Sequence, residues 1–324
     1  MRQALTWLLA IAAAILLVAS LISLLPSDQW FIRALDMVRQ PALYLATLLL
    51  VLSLFTARGW RWGLVAAFGA VALIQLWRLW PYLPFARETV ALYDGPEQSC
   101  FTALSLNVLQ KNTGYAEVAE LIRRENPDLL FLMETNREWL DALQPVLSAY
   151  PQTVVEAQDN AYGLAFATRL PLEQSRTVDA TSADTPTLYA TLAGPTGDRF
   201  EFIGLHPRPP LPGQDTDARD ASILNAGLET PDRLDNVLVL GDFNDVPWSG
   251  TVTKFREAGG WRDPRLGRGT HQTFPADYVW AGYPLDHVMV KNDVQVRSFK
   301  VLEDAGSDHR PLRAEVCVTP QRGG

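Results

Sequence analysis

Apolar and polar positions divide the chain into two textures. Ala4 to Leu25 runs 22 residues without a charge and is rich in Leu, Ala and Ile. A helix of about 20 such residues spans a bilayer core. Pro41–Ala57 is a second uncharged run and Trp62–Trp77 a third. The pattern predicts three transmembrane helices, at about 4–25, 41–57 and 62–80, within a membrane anchor of residues 1–87. A cleaved signal peptide beginning at Arg2 is the alternative for the first run. The length of that run, and the two apolar runs behind it, argue against a signal. Trp60, Trp62, Trp77, Trp80 and Tyr82 fall near span ends, where aromatic belts belong. Pro81 and Pro84 stop the third helix, and 88–99 reads as a linker.

From Cys100 the apolar spacing changes. Phe101–Asn107 alternates as a strand does, and Tyr115, Val118, Ala119 and Ile122 recur at helical spacing within 113–126. Pro127 ends that helix. Strands are predicted at 128–133, 161–168, 187–193, 199–205, 237–240, 286–290, 294–302 and 311–318. Helices are predicted at 139–147 and 216–229. Such a mixture over 100–318 suits one sizeable α/β or α+β domain, followed by a tail at 319–324.

Charge sharpens the division. Residues 1–87 hold seven arginines and two acids, net +5; the remainder holds 21 basic and 34 acidic residues, net −13. An acidic soluble part argues against non-specific nucleic-acid binding, which calls for a basic surface. Two cysteines exclude a disulfide-dense scaffold and a cysteine-rich zinc site. The compact turn Arg58-Gly-Trp-Arg61 is basic without an acid, and the positive-inside rule places it in the cytoplasm. With three spans, the acidic domain then lies outside. Arg33 and Arg39 in the 26–40 connection oppose that reading.

Candidate chemistry recurs where apolar strands stop. The first ends at Asn107 and the second at Glu134. Phe202–Leu205 leads to His206, and Val237–Gly241 leads to Asp242 and Asn244. Asp286-His287 opens a later strand, and Ser307-Asp-His309 precedes the last. Carboxylates and an amide are hard ligands, suited to Mg²⁺ or Mn²⁺. Histidines beside them titrate near neutrality. Together they are the means of attacking a phosphate ester with water. Taken singly, Asp242 reads equally well as a turn residue, His206 as a solvated loop residue and Glu134 as a first-turn acid.

The ordered set Asn107, Glu134-Thr-Asn136, Gly204-Leu-His206, Gly241-Asp-Phe-Asn244, Leu285-Asp-His287 and Ser307-Asp-His309 resembles the endonuclease/exonuclease/phosphatase superfamily over roughly 100–318. The resemblance implies a four-layer α/β/β/α sandwich of two mixed β-sheets flanked by helices. It also implies roles. Glu134 resembles the principal Mg²⁺ ligand (or Mn²⁺), with Asn107 beside it and Asp308 as a further metal-site carboxylate. Asp242 resembles the residue that orients or deprotonates water, and Asn244 the amide on a phosphoryl oxygen. His309 resembles the histidine on the scissile phosphate, oriented by Asp286. His206 stands where some members carry a catalytic histidine and abasic-site enzymes a tyrosine.

Around these, Arg208 in His206-Pro-Arg-Pro-Pro210 is a candidate for a second phosphate, or else part of a surface Pro-rich turn. His287 reads as structural, His271 as a rim residue and Trp248 as packing. If the first and last strands are neighbours, as the family fold implies, Cys100 and Cys317 either form a disulfide or remain buried thiols. The expected function is a membrane-anchored, metal-dependent phosphoesterase with its domain outside the cytoplasm, acting on a phosphorylated, lipid-linked head group. The His-Pro-x-Pro-Pro and Gly-Asp-Phe-Asn-Asp-Val-Pro-Trp segments resemble membrane-bound relatives linked to undecaprenyl pyrophosphate. An extracytoplasmic nuclease is the alternative substrate reading, and a non-catalytic membrane-tethered binding module the alternative of another class. No protein partner is inferred.

Overall fold

Periodicity becomes architecture in a computed structural model that describes residues 2–27, 29–210, 212–213, 216–228, 234–278, 280 and 282–319. The predicted tail beyond Thr319, and residue 229 of a predicted helix, lie outside the described residues. The N-terminal part holds α1 (Arg2–Ile22), α2 (Trp30–Met37), α3 (Arg39–Ser53) and α4 (Arg58–Leu79). The structure gives two or three candidate spans where three are expected. Two helices, within Gln3–Ile22 and Arg58–Tyr82, are long and apolar enough to cross a membrane, or three if α2 and α3, bent by 67°, count as one broken span. The middle apolar run ends as a helix at Ser53. Its 15 residues reach about 22 Å at 1.5 Å per residue, short of a bilayer core.

Beyond the anchor follow β1 (Cys100–Asn107), α5 (Tyr115–Glu125), β2 (Leu129–Met133), α6 (Arg137–Leu147), β3 (Gln152–Glu156), β4 (Leu164–Thr168), β5 (Leu172–Ser182) and β6 (Thr185–Ala193). The chain continues through β7 (Arg199–Gly204), α7 (Asp217–Leu228), β8 (Val237–Asp242), α8 (Gly250–Gly259), β9 (Asp286–Lys291), β10 (Val294–Val301) and β11 (Leu312–Val318). α5 ends where Asn126 turns left-handed before Pro127. The Asn136 side chain caps α6 by accepting from the Trp139 N–H.

One sheet runs β10-β11-β1-β2-β4-β3 and the other β5-β6-β7-β8-β9. Both are mixed, since β1–β2 and β7–β8 are parallel and the other pairs antiparallel. Their inner faces meet through side chains such as Phe131, Phe166 and Phe202, whose rings lie 5.0–5.6 Å apart. α5 and α6 cover one outer face with Val118, Ile122 and Trp139. α7 and α8 cover the other with Ile223, Val252 and Phe255. The result is the four-layer α/β/β/α sandwich. Burying both faces of the central strands explains their near-continuous apolar runs. Cys100 faces Cys317 in the β1–β11 register, and a disulfide joins them.

This topology places the chemistry. Parallel β1 and β2 end side by side, as do parallel β7 and β8. β9 runs antiparallel to β8, so its start, Asp286, lies opposite Asp242. β11 runs antiparallel to β1, so the segment that precedes it reaches the same end.

Candidate active site

Every predicted polar strand end except Arg208 converges at that one end of the sandwich. Asn107 closes β1, and its Nδ2 donates to Glu134 Oε1 (2.8 Å) and to Asp242 Oδ2 (3.2 Å). Its Oδ1 accepts the Leu109 N–H (3.0 Å), which fixes the orientation of the amide. Glu134 follows β2 with φ of 63°, a left-handed conformation uncommon for a non-glycine residue. The Gln110 N–H on Glu134 Oε2 (3.1 Å) holds the side chain. Gly163 backs the turn: a Cβ there would stand 1.9 Å from the Thr135 carbonyl oxygen.

Asp242 ends β8 and is buried. Gly241 before it adopts φ of 147°, and a Cβ there would meet the Leu205 carbonyl at 1.9 Å. Glycine therefore lets β8 lie against the segment that carries His206. Asp242 Oδ2 faces His309 Nε2 at 3.5 Å and His206 Nε2 at 3.7 Å. Its Oδ1 accepts the Asn244 N–H at 2.8 Å. Asn244 Nδ2 donates to the Pro207 carbonyl (3.0 Å) and ties the histidine loop to the Asp242 turn. His309 Nδ1 lies 2.8 Å from Asp286 Oδ2. Asp308 is half-buried beside Ser307.

Burial and charge oppose each other here. Burial alone would lower the His309 imidazole, but the Asp286 and Asp242 carboxylates hold it raised, at about 10. It is an imidazolium at neutral pH. Burial lowers His206, which is therefore largely neutral. Burial raises Asp242, with Asp286 adding to the rise and the two histidines countering it. Burial also raises Asp308, and the Glu134 charge adds to that. Two buried atoms, Asp286 Oδ1 and His206 Nδ1, have no hydrogen-bond partner among the described residues.

A divalent cation fits one subset of these groups. Among the described residues no three His, Cys, Asp or Glu side chains are grouped to hold a metal ion. Glu134 and Asp308 instead give two carboxylates, and Asn107, whose Nδ2 faces Glu134 here, adds its oxygen only with the amide turned over. That matches Mg²⁺, which takes one or two carboxylates and keeps several waters. The groups are oxygen donors, which disfavours a thiolate- or imidazole-seeking metal.

Arg208 lies outside the cluster. Its Nη2 donates to the Ala183 carbonyl (2.8 Å) on the β5–β6 turn. Its guanidinium lies 5.6 Å from the centre of the Tyr162 ring, which in turn lies 5.2 Å from His206. His287 is buried and neutral, held well below its ordinary range by burial and by Arg265. It accepts from Arg265 Nη2 at Nδ1 (2.6 Å) and contacts the Asp245 carbonyl through Nε2 (2.9 Å). The Trp248 ring packs against Tyr82, and its Nε1–H donates to the Asp36 carbonyl (2.8 Å).

Several positioning residues escape a reading based on strand ends. Ser307 Oγ donates to the Asn107 carbonyl (2.6 Å) and accepts the His309 N–H (3.1 Å), so it joins two strand ends. Thr273 Oγ1 accepts the Leu285 and Asp286 N–H groups at 3.1 and 3.2 Å. Phe274 lies 4.9 Å from the His309 ring. The serine stands inside a motif and is legible there; Thr273 and Phe274 carry no local signal.

The least expected member comes from the N-terminal helices. Arg33 of α2 reaches Asp245 (3.2 Å), Asp36 (3.3 Å) and Asp220 (3.6 Å) and donates to Thr251 Oγ1. Tyr82 Oη donates to the Pro247 carbonyl (2.7 Å), and Arg78 Nη2 to the Trp248 carbonyl (3.1 Å). The loop that begins with Asp242 is thus clamped by the N-terminal helices.

A sequence-family model described as Endonuclease/Exonuclease/phosphatase family matches residues 104–309. No curated protein matches the chain. Among solved structures, D. rerio TDP2 complexed with a single-strand DNA product aligns with a TM-score of 0.57 and 16% identity, over 67% of this chain and 99% of that one. An endonuclease/exonuclease/phosphatase family protein from Bacteroides thetaiotaomicron gives 0.55 and 17%, over 69% and 97%. The human Nocturnin catalytic domain with bound sulfate gives 0.53 and 17%, over 71% and 97%. At these identities the likeness to the solved structures is one of fold.

Proposed function

Because the chain belongs to the endonuclease/exonuclease/phosphatase family, whose members hydrolyse phosphoester bonds, we propose that it is a divalent-metal-dependent phosphoesterase that works at a bilayer surface on a lipid-linked phosphate or pyrophosphate. The observation that carries the reading is Asp242 Oδ2, which faces Asn107, His206 and His309 within 3.2–3.7 Å. A buried carboxylate so placed orients and deprotonates a water for in-line attack. The His309 imidazolium, held by Asp286, offsets charge that develops on the phosphoryl oxygens. Asn244 and neutral His206 complete the wall as hydrogen-bonding groups. Members of this family generally use divalent metals; bound by Glu134, Asp308 and Asn107, Mg²⁺ or Mn²⁺ would neutralise phosphoryl charge.

Three features support the membrane setting. The ends of α2 and α4 pack directly on the catalytic loop through Arg33 and Tyr82. The Trp7 and Trp60 rings lie 5.3 Å apart, so the starts of α1 and α4 share one end of the anchor, with Arg58 and Arg61 beside them. At the other end, Arg33 and Arg39 are taken up in ion pairs with Asp36. The Cys100–Cys317 disulfide suits an oxidising compartment outside the cytoplasm.

The test is phosphate release by the purified full chain in detergent, offered a long-chain diphosphate, a long-chain monophosphate and DNA. Turnover of the lipid substrates, abolished by EDTA and restored by Mg²⁺ or Mn²⁺, is expected. Undiminished turnover in chelator would overturn the metal-dependent mechanism. Preference for DNA would overturn the lipid reading.

A further inference from the structure

Between the sandwich and the anchor lies a cavity of about 640 Å³ that the catalytic cluster does not use. That volume is in the range of small-ligand sites. Its walls differ in chemistry. α3 contributes Leu43 and Tyr44, and the end of α4 with its following turn contributes Leu79 and Leu83. The sandwich side contributes Lys300 of β10 and Arg310, the residue after His309. These two cations form no ion pair among the described residues; Arg78 and Arg208, also without one, are taken up by the Trp248 and Ala183 carbonyls. In a part of the chain that carries net charge −13, two free cations on one cavity call for an anion.

The cavity also has a defined depth and a defined neighbour. It sits where α3 begins and α4 ends, beside Trp80 and Trp280, which are 47% and 72% exposed. An exposed tryptophan at a span end, as Trp80 is, marks the membrane–water interface. Gln272 lines the cavity and donates to Gln40 of α3 across the junction (3.1 Å). Two residues on, Phe274 packs against His309. The Arg310 N–H donates to the Thr273 carbonyl (2.8 Å). The pair of segments 272–274 and 309–310 therefore forms the wall between cavity and active site.

We propose that this junction cavity binds a phosphorylated membrane lipid, with the first part of its apolar chain against Leu43, Tyr44, Leu79 and Leu83 and its anionic head against Lys300 and Arg310. Identifying that lipid with the substrate rests on the function proposed above; binding in the cavity does not. The cavity selects an amphiphile over a soluble phosphate because only an amphiphile fills both walls. Lys300 and Arg310 supply charge-assisted contacts to the head, and the helix side chains supply apolar burial.

The test is photolabelling of the full chain in detergent with a long-chain alkyl phosphonate that carries a diazirine near its head. The phosphonate cannot be hydrolysed, so labelling reads binding alone. Crosslinks are expected within 40–44, 79–84 or 269–272. Unlabelled alkyl phosphonate should compete; the alcohol of equal chain length and inorganic phosphate should not. Lys300→Glu, an exposed position, should lower labelling about tenfold, the loss of one charge-assisted contact. Leu43→Trp should do so by filling the apolar wall. Crosslinks scattered evenly along α1, α3 and α4, equal competition by the alcohol, or wild-type labelling in Lys300→Glu would overturn the proposal. Labelling without hydrolysis of any lipid phosphate would leave the cavity assigned and remove the lipid-substrate reading. Hydrolysis without cavity labelling would do the reverse.

Discussion

Asp242 and Asp245 lie three residues apart in one loop, are both buried, and do opposite things. Around Asp242 the polar groups are under-satisfied. Asp286 keeps a buried oxygen without a partner, as His206 does a nitrogen. Around Asp245 the charges are matched, although Arg33 Nε has no hydrogen-bond partner among the described residues. Burial pushes its carboxyl up, and Arg33 and Arg219 counter that. Arg33 has a carboxylate within 4 Å on each of three sides. Unmet polar capacity is what a ligand can use; a matched buried network instead fixes geometry. The loop is thus open to chemistry at one end and held rigid at the other, and the holding group comes from the anchor.

The sharpest way to break this comparison is Asp242→Asn. Turnover should fall about 10²–10⁴-fold, as for loss of a positioned proton-transfer group, while the melting temperature holds or rises. A matching fall in melting temperature would mean that Asp242 is structural. Arg33→Gln should show the opposite balance. Breaking a buried ion pair costs about 3–5 kcal/mol, so the melting temperature should drop on the order of 10 °C, with a smaller loss of turnover. Asp245→Asn in the same chain should recover part of the loss, because it removes the stranded charge. An Arg33→Gln protein that melts as wild type would show the clamp to be idle.

Reduction of the Cys100–Cys317 disulfide should cost about 2–5 kcal/mol, read by denaturant titration. Its effect on turnover should be slight. Cys100 and Asn107 stand at opposite ends of an eight-residue strand, about 23 Å apart. The smallest effect concerns pH. His309 must be protonated and Asp242 ionised. The rate should therefore rise above the ordinary carboxylate range, stay level through neutrality, and fall as pH passes about 10, where His309 loses its proton. Asp286→Asn removes the first of the three carboxylates that raise His309. The alkaline limb of kcat against pH should then move down; an unmoved limb would assign it to another group.

Strand ends were the legible part of this molecule. Buried strands write their limits as apolar runs, so Asn107, Glu134, His206, Asp242, Asp286 and His309 stood out where those runs stopped. Edge strands left a fainter trace. β5 exposes Glu173, Gln174, Ser175 and Arg176 and takes its form from pairing with β6. β3, a partly exposed edge strand, was also missed, as was α8, despite its Ser249 cap. The clamp was illegible for a different reason. Arg33 and Asp245 are 212 residues apart, and periodicity reports only neighbours along the chain. Arg33 entered the sequence reading as a charge that blurred the membrane orientation. In the fold it is paired and part-buried.

That cation bears on how such proteins diversify. A sandwich in which its own Arg219 sufficed for Asp245 could be moved onto any tether, or released as a secreted enzyme, by changing the linker alone. This one relies on a guanidinium from a helix encoded more than two hundred positions upstream. Exchange of the N-terminal helices therefore leaves Arg219 as the partner of Asp245 unless a new basic residue is placed beside Thr251.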